Sequence, residues 1–154
     1  MRILVVANQV ASVGGLERCQ LEISRELARR GHGIDLLHVQ TGDLLGEWMS
    51  FATSTQQVRP FVLDRRALLA SPGQLLSAVR AGRRPRPDIV YVHRYQDALL
   101  GGLVARSLGH RAVCHLHLPP PKSPSLQVTL GMRQMALCIA VSTHTAESWQ
   151  PWGI

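Results

Sequence analysis

Short apolar runs alternate with amphipathic stretches along this chain. The run at 3–7 (ILVVA) is continuous and rich in β-branched residues, which is typical of a strand buried on both faces. From 15 to 30, apolar side chains recur at helical spacing with charged side chains between them, so this segment is predicted to be a helix. The same criteria predict strands at 33–39, 57–63, 88–93, 111–116 and 136–141, and helices at 73–81, 97–108 and 143–150.

This alternation predicts an α/β fold. Strands joined by helical crossovers form a Rossmann-like, doubly wound and mostly parallel sheet with helices on both faces. Pro60 places the strand at 57–63 on an edge of that sheet, because proline cannot donate a ladder hydrogen bond. A length of 154 residues suits one domain, so we expect 1–154 to form a single domain. Ligands of such sheets bind at the carboxyl ends of the strands, where site residues are therefore sought.

The glycine pair Gly14 and Gly15 follows the first strand and begins the first helix. Free backbone N–H groups at a helix N-terminus favour a phosphate or a sugar, although a tight turn explains two glycines equally well. A G-x-G-x-x-G motif is absent and the second strand ends in His-Val-Gln, without an acid to bind a ribose. A nicotinamide site is therefore disfavoured, and no cofactor is expected.

Three histidines lie at the carboxyl ends of two predicted strands. His115 and His117 alternate along one strand and so share a face, and His93 ends the strand before it, so the three imidazoles can converge. No carboxylate neighbours them in sequence, and a two-residue spacing is common by chance, so no metal is expected. Hydrogen bonding in the core is one alternative, and action of a neutral imidazole on a sugar oxygen is another.

The charge of the chain is basic. Lys and Arg number 17 against 10 Asp and Glu, a formal net charge of +7, which admits nucleic acid, an anionic membrane or a phosphorylated ligand as partner. No helix-turn-helix, RNP or zinc-finger pattern is present, so nucleic acid is not expected. Several of the arginines lie in the segment from 65 to 86. The favoured interpretation of this segment is a solvated surface, and contact with an anionic membrane is the alternative. The candidate membrane residues are Arg65, Arg66, Arg83, Arg84 and Arg86.

The cysteines and the lengths of the apolar runs indicate the cellular location of the protein. Cys19, Cys114 and Cys138 are odd in number and far apart, so neither a disulfide framework nor a zinc ribbon is predicted. No secretion signal or membrane span is recognisable. We expect a cytoplasmic protein, with peripheral contact at the inner face of the membrane as the further expectation.

Several segments together resemble a known family. Residues 1–6 (MRILVV), 12–18 (SVGGLER) and 27–34 (LARRGHGI) resemble the start of a glycosyltransferase family 4 enzyme of GT-B fold. Residues 87–93 (PDIVYVH) and 139–142 (IAVS) are similar to two later signatures of its N-terminal domain. The resemblance implies transfer, with retention of configuration, from a nucleotide-sugar donor to a small or lipid-linked acceptor. This chain resembles only the acceptor-binding half, so the donor-binding domain or subunit would be a partner.

The resemblance also implies site residues. His117 stands in the place of the family's active-site histidine, and Gly14 and Gly15 in that of the loop facing the donor diphosphate. An acidic residue often follows that histidine, whereas here Leu118 and three prolines do, so His115 is a competing assignment. His93 and His115 are expected, with the glycine pair, to face the acceptor or the donor phosphates. Two other functions remain open: a non-catalytic half-domain that binds a membrane or a donor-binding subunit, and a flavodoxin-like phosphate-binding module.

Overall fold

The computed structural model describes residues 1–61, 71–84, 86–123 and 125–154, and it shows a layered α/β architecture. The strands are β1 (Arg2–Gln9), β2 (Gly33–Gln40), β3 (Ser54–Gln57), β4 (Ile89–Val92), β5 (Arg111–Leu116) and β6 (Leu137–Ala140). The helices are α1 (Gly15–Arg29), α2 (Leu45–Met49), α3 (Ser71–Arg83), α4 (Ala98–Leu108), α5 (Leu126–Met132) and α6 (Thr143–Trp149). Short 3₁₀ turns at Tyr95–Asp97 and Gln150–Trp152 precede α4 and follow α6.

The described strands form one parallel sheet in the order β3-β2-β1-β4-β5-β6. Ile3 of β1 lies beside Ile34 of β2 and Ile89 of β4, so β1 is central and the chain winds outward from it in both directions. This strand order is that of a Rossmann-like doubly wound sheet, and it confirms the predicted fold class. All the carboxyl ends meet at one edge of the sheet, which we call the carboxyl edge.

Each face of the sheet carries its own hydrophobic cluster. Successive side chains of β1 point to opposite faces, so Val5 packs with Leu21 of α1 and Trp48 of α2. On the other face Val6 packs in a cluster with Val104 of α4. Helices therefore cover both faces, as the continuous apolar runs of the central strands require.

Most predicted elements are present, with bounds shifted by a few residues. The predicted strand at 57–63 is wrong: β3 spans Ser54–Gln57, although it does lie at the sheet edge that Pro60 indicated. The four residues of β3 (STQQ) are polar, so no apolar run marks them, and 62–63 lie outside the described residues. Helix α2 was not predicted, because five residues are too few to show a helical period.

Candidate functional site

Strands β4 and β5 bring three histidines together at the carboxyl edge. Val92 at the end of β4 pairs with Cys114 of β5, so His93 follows beside His115, and His117 lies two residues beyond on the same face. The ring centroid of His93 lies 4.1 Å from that of His117 and 4.9 Å from that of His115. The rings of His115 and His117 are 4.4 Å apart. The three imidazoles therefore converge, as predicted. We call His93, His115 and His117 the histidine cluster.

Tyr91 holds two rings of the histidine cluster by hydrogen bonds. It lies two residues before His93 on the same face of β4, and its hydroxyl oxygen is 3.0 Å from Nδ1 of His93 and 2.8 Å from Nδ1 of His115. A phenol has one proton to donate, so it donates to one of these nitrogens and accepts from the N–H of the other. Tyr91 thereby couples the tautomers of His93 and His115.

The histidine cluster is uncharged at neutral pH. Burial, followed by the two neighbouring imidazoles, lowers the pKa of His93 to about 3. Burial and the adjacent His117 lower the pKa of His115 to about 4, and burial lowers the pKa of His117. Each neutral ring therefore offers one N–H and one lone pair. The Nε2 atoms of His93 and His117 are buried and have no hydrogen-bond partner in the described part of the chain.

Helix α1 adds a thiol to the histidine cluster. The sulfur of Cys19 and one ring nitrogen each of His93 and His117 lie within 4.8 Å of one another. Cys19 belongs to the apolar positions that recur at helical spacing in α1, but the sequence analysis did not connect it with the histidines. Its position on the sheet-facing side of that helix was the available signal, yet only the packing of α1 shows which strand ends it meets.

The glycine pair begins α1 at the same edge of the sheet. Gly14 is the N-cap residue with extended backbone (φ −161°), no side chain caps the helix, and Gly15 is exposed. The loop from β1 is anchored on both sides: Oδ1 of Asp43 accepts from the backbone N–H of Ser12 at 2.7 Å, and Oδ2 of Asp97 accepts from that of Asn8 at 3.3 Å. Both glycines are exposed, so α1 begins at the surface, where its first N–H groups and its dipole favour an anion.

A buried acid lies within the first turn of α1. Glu17 is 8% exposed, and its Oε1 accepts from the side-chain amide of Gln9 at 3.2 Å and from Nη1 of Arg94 at 3.3 Å. Arg94 directly follows His93, so this pair ties α1 to the end of β4. Because Arg94 balances the carboxylate, Glu17 does not leave an uncompensated negative charge beside the glycine pair.

The predicted basic residues that the structure describes lie at the opposite edge of the sheet. Arg83, Arg84 and Arg86 precede β4, at the amino ends of the strands, and with Arg80 they help to line an open cavity of about 840 Å³. Arg65 and Arg66 lie outside the described residues. Among the described residues, these four guanidinium groups form no ion pair. No helix in the described ranges is long and apolar enough to cross a bilayer.

Comparison with known proteins connects this geometry to a family. The family described as Glycosyltransferase Family 4 matches residues 13–154, which include the glycine pair, the histidine cluster and every strand from β2 to β6. The chain belongs to glycosyltransferase family 4. No curated protein matches it.

Solved structures share the fold of this family 4 chain. HepE (Alr3699) of Anabaena, in complex with UDP, has a TM-score of 0.73 at 18% identity over 99% of this chain and 41% of its own. MurG of Acinetobacter baumannii has a TM-score of 0.65 at 18% identity, over 94% of this chain and 42% of its own. The UDP-GlcNAc 2-epimerase of Methanocaldococcus jannaschii reaches 0.69 at 13% identity, over 100% of this chain and 43% of its own. The chain thus spans about two fifths of these proteins.

The family 4 chain gathers the predicted histidines and glycines at the carboxyl edge. His93, His115 and His117 form one cluster, and Gly14 and Gly15 begin a helix whose Cys19 reaches that cluster. The described candidate membrane residues, Arg83, Arg84 and Arg86, lie at the amino edge. The expected site residues therefore fall into two separate groups.

Proposed function

We propose that this chain is the acceptor-binding half of a glycosyltransferase, which moves a sugar from a nucleotide-sugar donor to an acceptor with retention of configuration. The observation that carries the proposal is the neutral histidine cluster beside the open N-terminus of α1, at the ligand-binding edge of a family 4 chain. The shared fold alone would not suffice, since an epimerase has it too.

His117 is the proposed catalytic residue. Among the histidine cluster it lies furthest along its strand, after β5 ends at Leu116, so it reaches furthest into the space that a second domain would close. Its lowered pKa keeps the ring neutral, so it can hydrogen-bond a sugar hydroxyl as donor or acceptor and stabilise charge that develops during transfer. His115 is more deeply held, through the Tyr91 hydroxyl, and is proposed to position the cluster.

The residue that follows His117 is anchored by a buried side chain. The indole N–H of Trp149 in α6 donates to the carbonyl oxygen of Leu118 at 2.9 Å, and Trp149 itself is 1% exposed. A buried anchor one residue after His117 limits the motion of that imidazole. Preorganised groups of this kind contribute to catalysis because they need not rearrange in the transition state.

The glycine pair is proposed to face the donor diphosphate across the cleft. HepE has been solved in complex with UDP-glucose, which makes UDP-glucose the first donor to test. The free N–H groups of α1 and its dipole favour negative charge, and the space beside Gly15 is open, because a Cβ there would meet no atom within 4 Å.

Sugar transfer by the protein that joins this chain to its donor-binding domain tests the proposal. His117→Ala is expected to lower the transfer rate by about 100-fold or more at unchanged fold, since it removes one preorganised hydrogen-bonding group. The matched control is His32→Ala, at the amino edge before β2, which is expected to transfer at the parent rate. His115→Ala is expected to act mainly by lowering stability. Parent activity in His117→Ala, or a larger catalytic loss in a stably folded His115→Ala, would contradict the assignment.

A further inference from the structure

Cys19, His93 and His117 have the chemistry and spacing of a metal-binding trio. Their sulfur and ring nitrogens lie within 4.8 Å of one another, although they come from α1 and from the ends of β4 and β5. The three donors thus surround one point from three separate elements. A thiolate with two imidazoles is a ligand set that Zn²⁺ and similar transition ions prefer, whereas Mg²⁺ and Ca²⁺ prefer oxygen.

Two ring nitrogens are left without a partner in this trio. His93 is 1% exposed, and its Nε2 atom is buried without a hydrogen-bond partner among the described residues; the same holds for Nε2 of the half-buried His117. A buried polar nitrogen that makes no hydrogen bond destabilises the folded chain, so native structures rarely leave one without a partner. Coordination of an ion by both nitrogens would satisfy them.

Tyr91 provides the outer support that metal-bound histidines have. When Nε2 of His93 coordinates an ion, its proton must be on Nδ1, which then donates to the Tyr91 oxygen 3.0 Å away. The Tyr91 hydroxyl in turn donates to Nδ1 of His115 at 2.8 Å. The observed contacts therefore fit the one tautomer of His93 that leaves Nε2 free to coordinate.

We propose that Cys19, His93 and His117 bind Zn²⁺ or a divalent transition ion of similar ligand preference. The Cys19 thiol gives up its proton to solvent and coordinates through the thiolate, and each histidine coordinates through one ring nitrogen. Three protein ligands leave one tetrahedral position for water or a ligand at the carboxyl edge. This site revises the expectation of no metal, because the thiol that completes it, Cys19, lies far from the histidines in sequence.

The site goes beyond the function proposed above and does not depend on it. A bound ion would hold one ring nitrogen of His117 and leave that imidazole able to meet an acceptor only through its other nitrogen. Metal binding is measured without sugar transfer, so failure of either proposal is recognised separately.

Binding of Zn²⁺ and Co²⁺ to the purified 154-residue chain tests the site. We expect one Zn²⁺ per chain in competition with a chromogenic chelator. With Co²⁺ we expect a thiolate-to-metal charge-transfer band in the near ultraviolet and the visible bands of a tetrahedral ion. Cys19→Ser is expected to abolish the charge-transfer band and to weaken Zn²⁺ binding by more than 100-fold, since loss of a ligand exceeds the 10- to 100-fold loss typical of supporting residues.

The controls separate this site from other thiols and from misfolding. Cys138→Ser, at a half-buried thiol of β6 outside the trio, is expected to bind both ions as the parent does. Tyr91→Phe keeps the ring and loses only the hydroxyl, so it is expected to weaken Zn²⁺ binding by about 10- to 100-fold. Circular dichroism establishes that each variant is folded. Absence of Zn²⁺ binding by the folded parent, or equal binding in folded Cys19→Ser, would overturn the proposal.

Discussion

At the scale of single residues, buried polar groups decide how the carboxyl edge is built. Asp97 is 9% exposed and accepts a hydrogen bond from the backbone of Asn8, which anchors the loop before the glycine pair. Burial raises the pKa of Asp97 to about 6, against the opposing effects of nearby Arg94 and the Asn8 N–H. The anchor therefore carries a charge that its surroundings only partly compensate.

The pH dependence of stability should reveal this charge. Because the folded chain binds the Asp97 proton more tightly than the unfolded chain does, stability is lost as pH rises from about 4 to 6. Asp97→Asn keeps a carbonyl acceptor for Asn8 but carries no charge. We expect the variant to be more stable than the parent by about 2–3 kcal/mol above pH 6, with the difference vanishing below about pH 4.

Urea denaturation of both proteins across this pH range measures the difference. The difference between parent and variant in the free energy of unfolding is taken at each pH. The contribution of the histidines to stability cancels in this difference, because both proteins contain them. A variant less stable than the parent at pH 7 would mean that attraction to Arg94 outweighs the cost of burying the carboxylate.

At the scale of elements, glycines allow helices to approach their neighbours closely. A Cβ on Gly131 of α5 would meet the backbone of Ala98 and Leu99 at the start of α4, and backbone cannot move aside as a side chain can. Similarly, a Cβ on Gly101 of α4 would meet the side chain of Val92 in β4. Helices α4 and α5 therefore pack on each other and on β4 through glycine contacts. These contacts support the end of β4, where His93 follows.

Gly131→Ala tests this contact between helices. We expect a loss of about 1–3 kcal/mol in the free energy of unfolding, since overpacking exceeds the gain in helix propensity. Gly46→Ala in α2 is the matched control, because a Cβ there would meet no atom within 4 Å; it is expected to leave stability unchanged or raise it by about 0.5–1 kcal/mol. Thermal and urea denaturation compare the three proteins, and equal stability of Gly131→Ala and the parent would rule out a tight contact.

At the scale of the whole molecule, the two edges of the sheet differ in character. The carboxyl edge holds the neutral histidine cluster and also exposes Val13, Leu118 and Val141 in the segments that follow β1, β5 and β6. The amino edge instead carries arginines before β4. Apolar side chains around a polar site are typical of a surface that meets another protein surface.

The proposed division of labour predicts that the isolated chain does not transfer sugar. Catalysis in a cleft needs groups from both walls, and this chain spans only 41% of HepE. We expect the purified 154 residues to fold and yet to release no UDP from UDP-glucose above background. Release of UDP by the isolated parent chain that is lost in the His117→Ala variant would contradict the proposal that catalysis needs a second domain.

The alternative of a membrane-binding surface makes its own prediction at the amino edge. If Arg83, Arg84 and Arg86 contact anionic lipid, sedimentation with phosphatidylglycerol vesicles should be strong at low salt and fall steeply as ionic strength rises, because salt screens exposed charges. Replacing all three with Ser is expected to abolish binding, whereas Lys at all three retains the charge and should bind. No binding of the parent at low salt would leave these arginines as a solvated surface.

The sequence by itself determined the elements whose signal is local. The apolar runs marked β1, β2, β4 and β5, helical spacing marked α1 and α4, and the two-residue alternation placed His115 and His117 on one face. These features follow from each segment's own periodicity, which reflects how that segment is buried. Polar β3 and five-residue α2 lack such a signal, so their bounds could not be predicted.

Only the tertiary structure decided which of these elements meet. The strand order set His93 beside His115, the hydroxyl of Tyr91 joined their rings, and the packing of α1 delivered Cys19 to His93 and His117. Contacts between residues far apart in the chain depend on how helices pack across strand ends, and no spacing within one segment records that. The histidine pair was therefore predictable from the sequence, whereas the thiol that completes the proposed metal site was not.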